Sequence, residues 1–204
     1  MRPTRTAEMR DATLVVLAGG RGERMGTPKA LLRAGNGTLV DWIVARLAPS
    51  FAEVLVCGAA SAPAPARAIP DARPDAGPLA GIESGLAAAS YDEVFVLACD
   101  TPRASVALAD LLLRAARGHH AAIPRIADRM QPTCAAYRRE ALAPLRAFLD
   151  AGGRSARRAL EVMDVVYVGE ADLARASVDV AELADLDTRA EYDAFVSSLG
   201  EDPR

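Results

Sequence analysis

Short apolar runs alternate with longer stretches of helical spacing along most of the chain. Residues 13–18, Thr-Leu-Val-Val-Leu-Ala, form a β-branched and apolar run that stops at Gly19-Gly20 and predicts a buried strand. Leu39, Val40, Ile43, Val44 and Leu47 recur at helical spacing and end before Pro49, which predicts a helix over 39–47. Residues 53–57 and 93–99 read as two further strands, and helical spacing resumes between them over 79–89. The Ala- and Pro-rich stretch 59–78 predicts a loop with a short strand near Ala68-Ile69. Beyond Thr101-Pro102, Ser105 is placed to cap a helix over 105–117 that Gly118 stops. Strands are predicted over 120–125, 132–137 and 165–168, with another short one over 177–180; helices are predicted over 139–151, 155–163 and 189–199. This alternation predicts a single α/β domain over 13–199, a three-layer αβα sandwich around a mostly parallel sheet. Residues 1–12 are expected to be an N-terminal extension and 200–204 a tail.

Composition narrows the class. An apolar fraction of 51% in 204 residues is enough for one sizeable core. The formal charge of −3 offers no general attraction to nucleic acid or an anionic membrane, so a polyanionic ligand must be held by a local group of donors. No apolar run approaches the ~20 residues that span a bilayer, and the N-terminal residues hold no signal-type apolar segment, so a cytoplasmic location is expected. Cys57, Cys99 and Cys134 are widely spaced, which argues against a disulfide framework or zinc site, and His119 and His120 are expected on the surface. Of the 24 basic residues only Lys29 is lysine. In a chain that otherwise uses arginine, a single compact ammonium points to a dedicated site.

That lysine ends a glycine-rich loop, Leu17-Ala18-Gly19-Gly20-Arg21-Gly22-Glu23-Arg24-Met25-Gly26-Thr27-Pro28-Lys29, directly after the first strand. Open α/β sheets bind ligands at that position. Glycines there let backbone N–H groups approach a phosphate, and Arg24 and Lys29 add the charge a triphosphate needs. The spacing is not that of a P-loop, because Gly26 is followed by Thr-Pro-Lys, nor that of a dinucleotide fingerprint. Asp100, in Ala98-Cys99-Asp100-Thr101-Pro102 after the third strand, sits where a carboxylate is costly unless it meets a cation such as Mg²⁺. Asp71 precedes Gly77-Pro78-Leu79-Ala80-Gly81, and a carboxylate can accept the paired N–H donors of guanine; Asp75 is a rival for that role.

The loop pattern LAGGxxxRMGxxK resembles the signature of nucleotidyltransferases that activate cofactors and sugars, most of all the molybdenum cofactor guanylyltransferase family. Gln131-Pro132-Thr133 with Ala135 and Tyr137, and Gly152-Gly153-Arg154-Ser155, resemble two further segments of that family. The resemblance implies a Rossmann-like sheet of the nucleotide-diphospho-sugar transferase type and Mg²⁺-dependent transfer of GMP from GTP to molybdopterin, with release of pyrophosphate. It implies that Leu17, Ala18, Gly19, Gly20, Lys29, Asp71 and Asp100 bind nucleotide and that Asp100 carries the metal. Lys29, Arg24 and Asp100 would be catalytic, and Gln131, Pro132, Thr133, Arg154 and Ser155 would face the acceptor. It also implies contact with a molybdoenzyme or its chaperone. Three positions depart from the family pattern: Pro28, Gly58, and Asp185-Leu186-Asp187, where amides are usual. They leave room for a cytidylyltransferase of the same cofactor, a sugar- or alcohol-phosphate nucleotidyltransferase, or a nucleotide-binding module without turnover.

Overall fold

The structure is a computed structural model and describes residues 9–19, 29–73 and 76–199. The first strand, β1 (Arg10–Leu17), lies at the centre of the main sheet and starts earlier than the expected Thr13. Alternate residues feed two cores: Ala12, Leu14 and Val16 on one face, Val15 and Leu17 on the other. Both faces being dry, the strand reads as one continuous apolar run rather than an alternating one.

A small hairpin, β2 (Arg33–Ala34) with β3 (Gly37–Thr38), leads into α1 (Leu39–Leu47). Thr38 and Asp41 form a capping box at the start of α1. Then come β4 (Phe51–Cys57), β5 (Arg67–Ile69), α2 (Pro78–Ala88), β6 (Glu93–Ala98) and α3 (Val106–Ala115). As expected, Ser105 caps α3, its hydroxyl accepting the Leu108 N–H, and Gly118 follows with φ of 82°. The chain continues through β7 (Ala121–Ile126), β8 (Arg129–Met130), β9 (Cys134–Arg138), α4 (Leu142–Asp150), α5 (Ala156–Glu161), β10 (Val165–Val168), α6 (Glu170–Arg175) and α7 (Arg189–Leu199).

The sheet runs β10-β7-β9-β6-β1-β4-β5, with β8 attached to β7. β6, β1, β4 and β5 are parallel, as are β7 and β10, whereas β9 is antiparallel to both neighbours. One face is covered by α1, α3 and α6 through residues such as Ile43, Leu108 and Leu173. The other is covered by α2, α4 and α5 through Ile82, Leu145 and Leu160. This is the expected three-layer sandwich. Helix α2 presses on β1 at Gly85, where an added Cβ would lie 2.7 Å from Val15 Cγ1.

Some expectations shift. The predicted strand over 177–180 does not form: Ser177 turns at φ of 56°, and Val180–Leu183 is a 3₁₀ turn capped by Asp179. Val178 and Leu183 supply buried apolar contact there, which sequence alone does not distinguish from a strand. The strand expected over 132–137 begins at Cys134, because Pro132 has no N–H to give and Gln131–Cys134 closes a turn. The helix expected from 139 opens as a 3₁₀ turn, Arg139–Ala141, before α4. Among the described residues, no helix is long and apolar enough to cross a membrane.

Candidate active site

Leu17 pairs in register with Cys57 on one side and Ala98 on the other, so three parallel strands end together. The backbone is locked past that edge: Ala18 N–H donates to the Cys57 carbonyl at 2.8 Å, and Cys99 N–H to the Leu17 carbonyl at 3.0 Å. The start of the glycine loop and the Asp100 turn are thereby fixed side by side. Gly58, the residue after β4, has φ of 82°, and a Cβ added there would meet Gly19 Cα and N at 2.8 Å. A Gly58→Ala variant is therefore expected to lose about 1–3 kcal/mol of stability from the left-handed backbone. It should also lose nucleotide affinity as Gly19 is pushed away; thermal melts and nucleotide calorimetry measure the two effects.

Lys29 opens a 3₁₀ turn, Lys29–Leu31, and its ammonium donates to Asp100 Oδ2 at 2.9 Å and Asp187 Oδ1 at 2.8 Å. The single lysine and the strand-tip carboxylate thus share one site, as the sequence reading required. Partial burial works against the charge, but the hydrogen bonds to Asp187 and Asp100 and their negative charges prevail and hold Lys29 above the usual lysine range. The stabilisation tied to that proton is complete below the ordinary value of 10.5 and is lost only as pH rises through the higher folded value. It is constant across neutral pH. Beside this pair, Asp185 accepts from Thr101 Oγ1 and from Arg129, each at 3.1 Å. Burial raises the pKa of Asp185, and the negative charge of Asp100 adds to it.

Asp71 faces the same space from the loop after β5. One of its oxygens, Oδ1, is buried with no hydrogen-bond partner among the described residues, and burial raises the pKa of the carboxyl group. Lys29, Asp71, Asp100, Gly19 and Thr133 all line a cavity of about 620 Å³, whose floor includes Cys57 and Cys99. Both thiols are buried, and burial pushes each up to about 12. Arg73 reaches the cavity from the Asp71 loop and is pinned by Glu83 of α2, with Nε donating at 2.7 Å.

The expected residues separate into groups. Leu17, Gly19, Lys29, Asp71 and Asp100 converge on the cavity, and Ala18 is buried just behind. Gly20, Arg24, Pro28 and Asp75 lie outside the described residues. Of the acceptor set, Thr133 lines the cavity while its carbonyl accepts the Ala98 N–H at 2.7 Å. Gln131 turns its amide to the Leu183 carbonyl at 3.4 Å, and the Pro132 carbonyl accepts the Tyr137 hydroxyl at 2.7 Å. Arg154 donates to the Leu149 and Gly153 carbonyls, and Ser155 caps α5; neither lines this cavity. Sequence reasoning did not assign roles to Asp187 or Arg73. The pattern Thr188-x-x-Glu191, a capping box, was the available signal that Asp187 stands fixed at a helix start.

A mostly parallel α/β sheet whose first strand ends at Gly19, beside the chain's single ammonium and a strand-tip carboxylate, is the framework of a nucleotidyltransferase. The profile of the MobA-like NTP transferase domain matches residues 14–168, and the chain belongs to that family. A probable molybdenum cofactor guanylyltransferase of Pelotomaculum thermopropionicum is 33% identical over 177 residues, covering 85% of this chain and 86% of the relative. The molybdenum cofactor guanylyltransferase of Syntrophotalea carbinolica is 31% identical, covering 92% and 91%. In fold, the chain is similar to molybdopterin-guanine dinucleotide biosynthesis protein A of Archaeoglobus fulgidus, with a TM-score of 0.78 at 20% identity over 93% of this chain and all of that one. It is also similar to 2-C-methyl-D-erythritol 4-phosphate cytidylyltransferase of Thermus thermophilus, with a TM-score of 0.69 at 21% identity over 92% and 98%.

Proposed function

We propose that the protein transfers GMP from GTP to the terminal phosphate of molybdopterin, with Mg²⁺ as its metal and pyrophosphate as the leaving group. The observation that carries this reading is the convergence of Lys29, Asp71 and Asp100 on one cavity at the end of β1. Asp71 offers a buried oxygen that no donor among the described residues satisfies. The N1–H and N2–H₂ edge of guanine would supply the donors, whereas cytosine offers a donor beside an acceptor. The names of the curated relatives support the same nucleotide and acceptor.

Asp100, with Asp185 beside it, supplies hard carboxylate oxygens, and Mg²⁺ is usually held by one or two of these together with substrate phosphates. Burial first, and then the neighbouring Asp100 charge, raise the Asp185 pKa; two carboxylates this close to one another are a donor set that a hard cation would relieve, so these side chains fit the ion. When bound, the metal would neutralise charge on the phosphates. Lys29 would do the same from its own side, exchanging carboxylate partners for phosphate oxygens as the triphosphate arrives. The acceptor phosphate is already ionised, so the chain needs to supply no general base; its task is to align and to neutralise.

The test is pyrophosphate release with molybdopterin and each of the four nucleoside triphosphates in Mg²⁺. Release with GTP alone is expected; preference for CTP would transfer the reading to the cytidylyltransferases, and silence with all four would end it. Asp71 gives a second check. As pH falls through its raised pKa, the carboxylate gains a proton and loses an acceptor, so GTP affinity should fall on the acid side at pH values above the ordinary 3.8. Asp71→Asn should weaken GTP about 10- to 100-fold, the range for hydrogen bonds to a charged group, and remove that acid limb from the calorimetric profile.

A further inference from the structure

The segment that meets Lys29 from the far side lies beyond the family match, which ends at residue 168. Helix α7 starts on a reciprocal box. The Glu191 carboxylate accepts the backbone N–H groups of Asp187 at 2.9 Å and Thr188 at 2.7 Å, and Glu191 N–H returns to Thr188 Oγ1 at 3.2 Å. Farther along, Tyr192 and Phe195 join Leu186 in a small separate core with Leu32, Ala34 and Leu39. The Tyr192 hydroxyl donates to the Arg33 carbonyl at 2.7 Å, and Leu186 N–H donates to the Asp100 carbonyl at 2.8 Å. One corner of the chain therefore grips the backbone just after Lys29, the backbone of Asp100 and, through Asp187, the ammonium itself.

We propose that Asp187 is a positioning residue of the transfer reaction, carried by α7, which holds the Lys29 ammonium beside Asp100 before substrate binds. A lysine stem of four carbons has many rotamers, and an unheld amine would have to be ordered at each turnover. With Asp187 fixed by the helix start, the amine meets the triphosphate from one place. When Lys29 turns to phosphate, Arg129, 4.0 Å from the Asp187 carboxylate and 3.1 Å from Asp185, still faces both acids. The role in turnover rests on the nucleotidyltransferase reading above; the hold on Lys29 does not.

Because Lys29 is the only lysine, acylation of the intact protein by an N-hydroxysuccinimide ester at one fixed pH, with peptide mapping, reports a single side-chain amine. Asp187 is half-exposed, so Asp187→Asn is expected to fold. Emission of Trp42, the single tryptophan, whose ring meets Phe195 edge-on at 6.2 Å, verifies that α7 remains docked. The variant should acylate about threefold faster or more at Lys29, the scale of a lost part-exposed ion pair. Its kcat with GTP and molybdopterin should fall about tenfold while KM for GTP stays within about twofold, because an amine that has lost its hold is correctly placed in only a fraction of the bound complexes. Asp193→Asn, which breaks only a surface pair with Arg189 on the same helix, should leave all three values at those of the parent. An unchanged acylation rate at Lys29, or a rise in KM with kcat intact, overturns the proposal. Should the parent protein release no pyrophosphate with any nucleotide, the proposed function fails, and the acylation rate still decides whether Asp187 holds the amine.

Discussion

Lys29→Ala is expected to lower pyrophosphate release by on the order of 10²-fold or more, the cost of removing one well-placed charge-stabilising donor. The same change should cost little stability. The ammonium is about one-fifth exposed and Asp187 nearly half-exposed, and pairs with that much access to water contribute about 1 kcal/mol or less. The two effects therefore separate: turnover falls steeply while the melting temperature moves by only a few degrees, about 2–4 °C for a domain of this size. Stopped turnover with an intact melt places Lys29 in the chemistry. A variant that keeps full turnover would remove it.

Asp100→Asn is expected to abolish Mg²⁺-dependent turnover to a similar extent, again on the order of 10²-fold or more, while the fold stands. The amide keeps the shape of the side chain and an oxygen that can still accept from Lys29, now held at 2.9 Å. The Asp100 carbonyl that receives Leu186 N–H belongs to the backbone and is untouched. What is lost is the anionic oxygen that a hard cation prefers. A Mg²⁺ titration of the rate, with melts as control, checks this; near-normal activity at ordinary Mg²⁺ would take Asp100 out of the mechanism.

The centre of this fold was readable because burial on both faces leaves a plain trace. β1, β4 and β6 each close on an unbroken apolar run, over 14–17, 54–57 and 94–98, stopped by the residues that form the site: Gly19, Gly58 and the Asp100 turn. The ends of elements were less legible, since a 3₁₀ turn such as Arg139–Ala141 and an α-helix share a side-chain pattern over one turn. Residues 170–175 went unassigned because α6 is short and mostly exposed, burying chiefly Leu173. The same split applies to the site. Lys29 and Asp100 stood out by residue type and by position after strands. Asp187 did not, because its partner is 158 residues away in sequence, and only the packing of Tyr192 and Phe195 against the segment after Lys29 brings them together. Asp185-Leu186-Asp187 therefore reads in sequence as a departure from a pattern, while in three dimensions Asp187 meets the lysine and Leu186 N–H meets the Asp100 carbonyl.

The three thiols lie on different strands or strand ends of one sheet: Cys57 on β4, Cys99 past β6 and Cys134 on the antiparallel β9. All are buried, and burial raises the pKa of each. Alkylation must then wait for the sheet to open, so its rate becomes a clock for local unfolding rather than a measure of sulfur chemistry. Read cysteine by cysteine, with and without nucleotide, it would chart how far a ligand seated over Cys57 and Cys99 stiffens the strand beyond them.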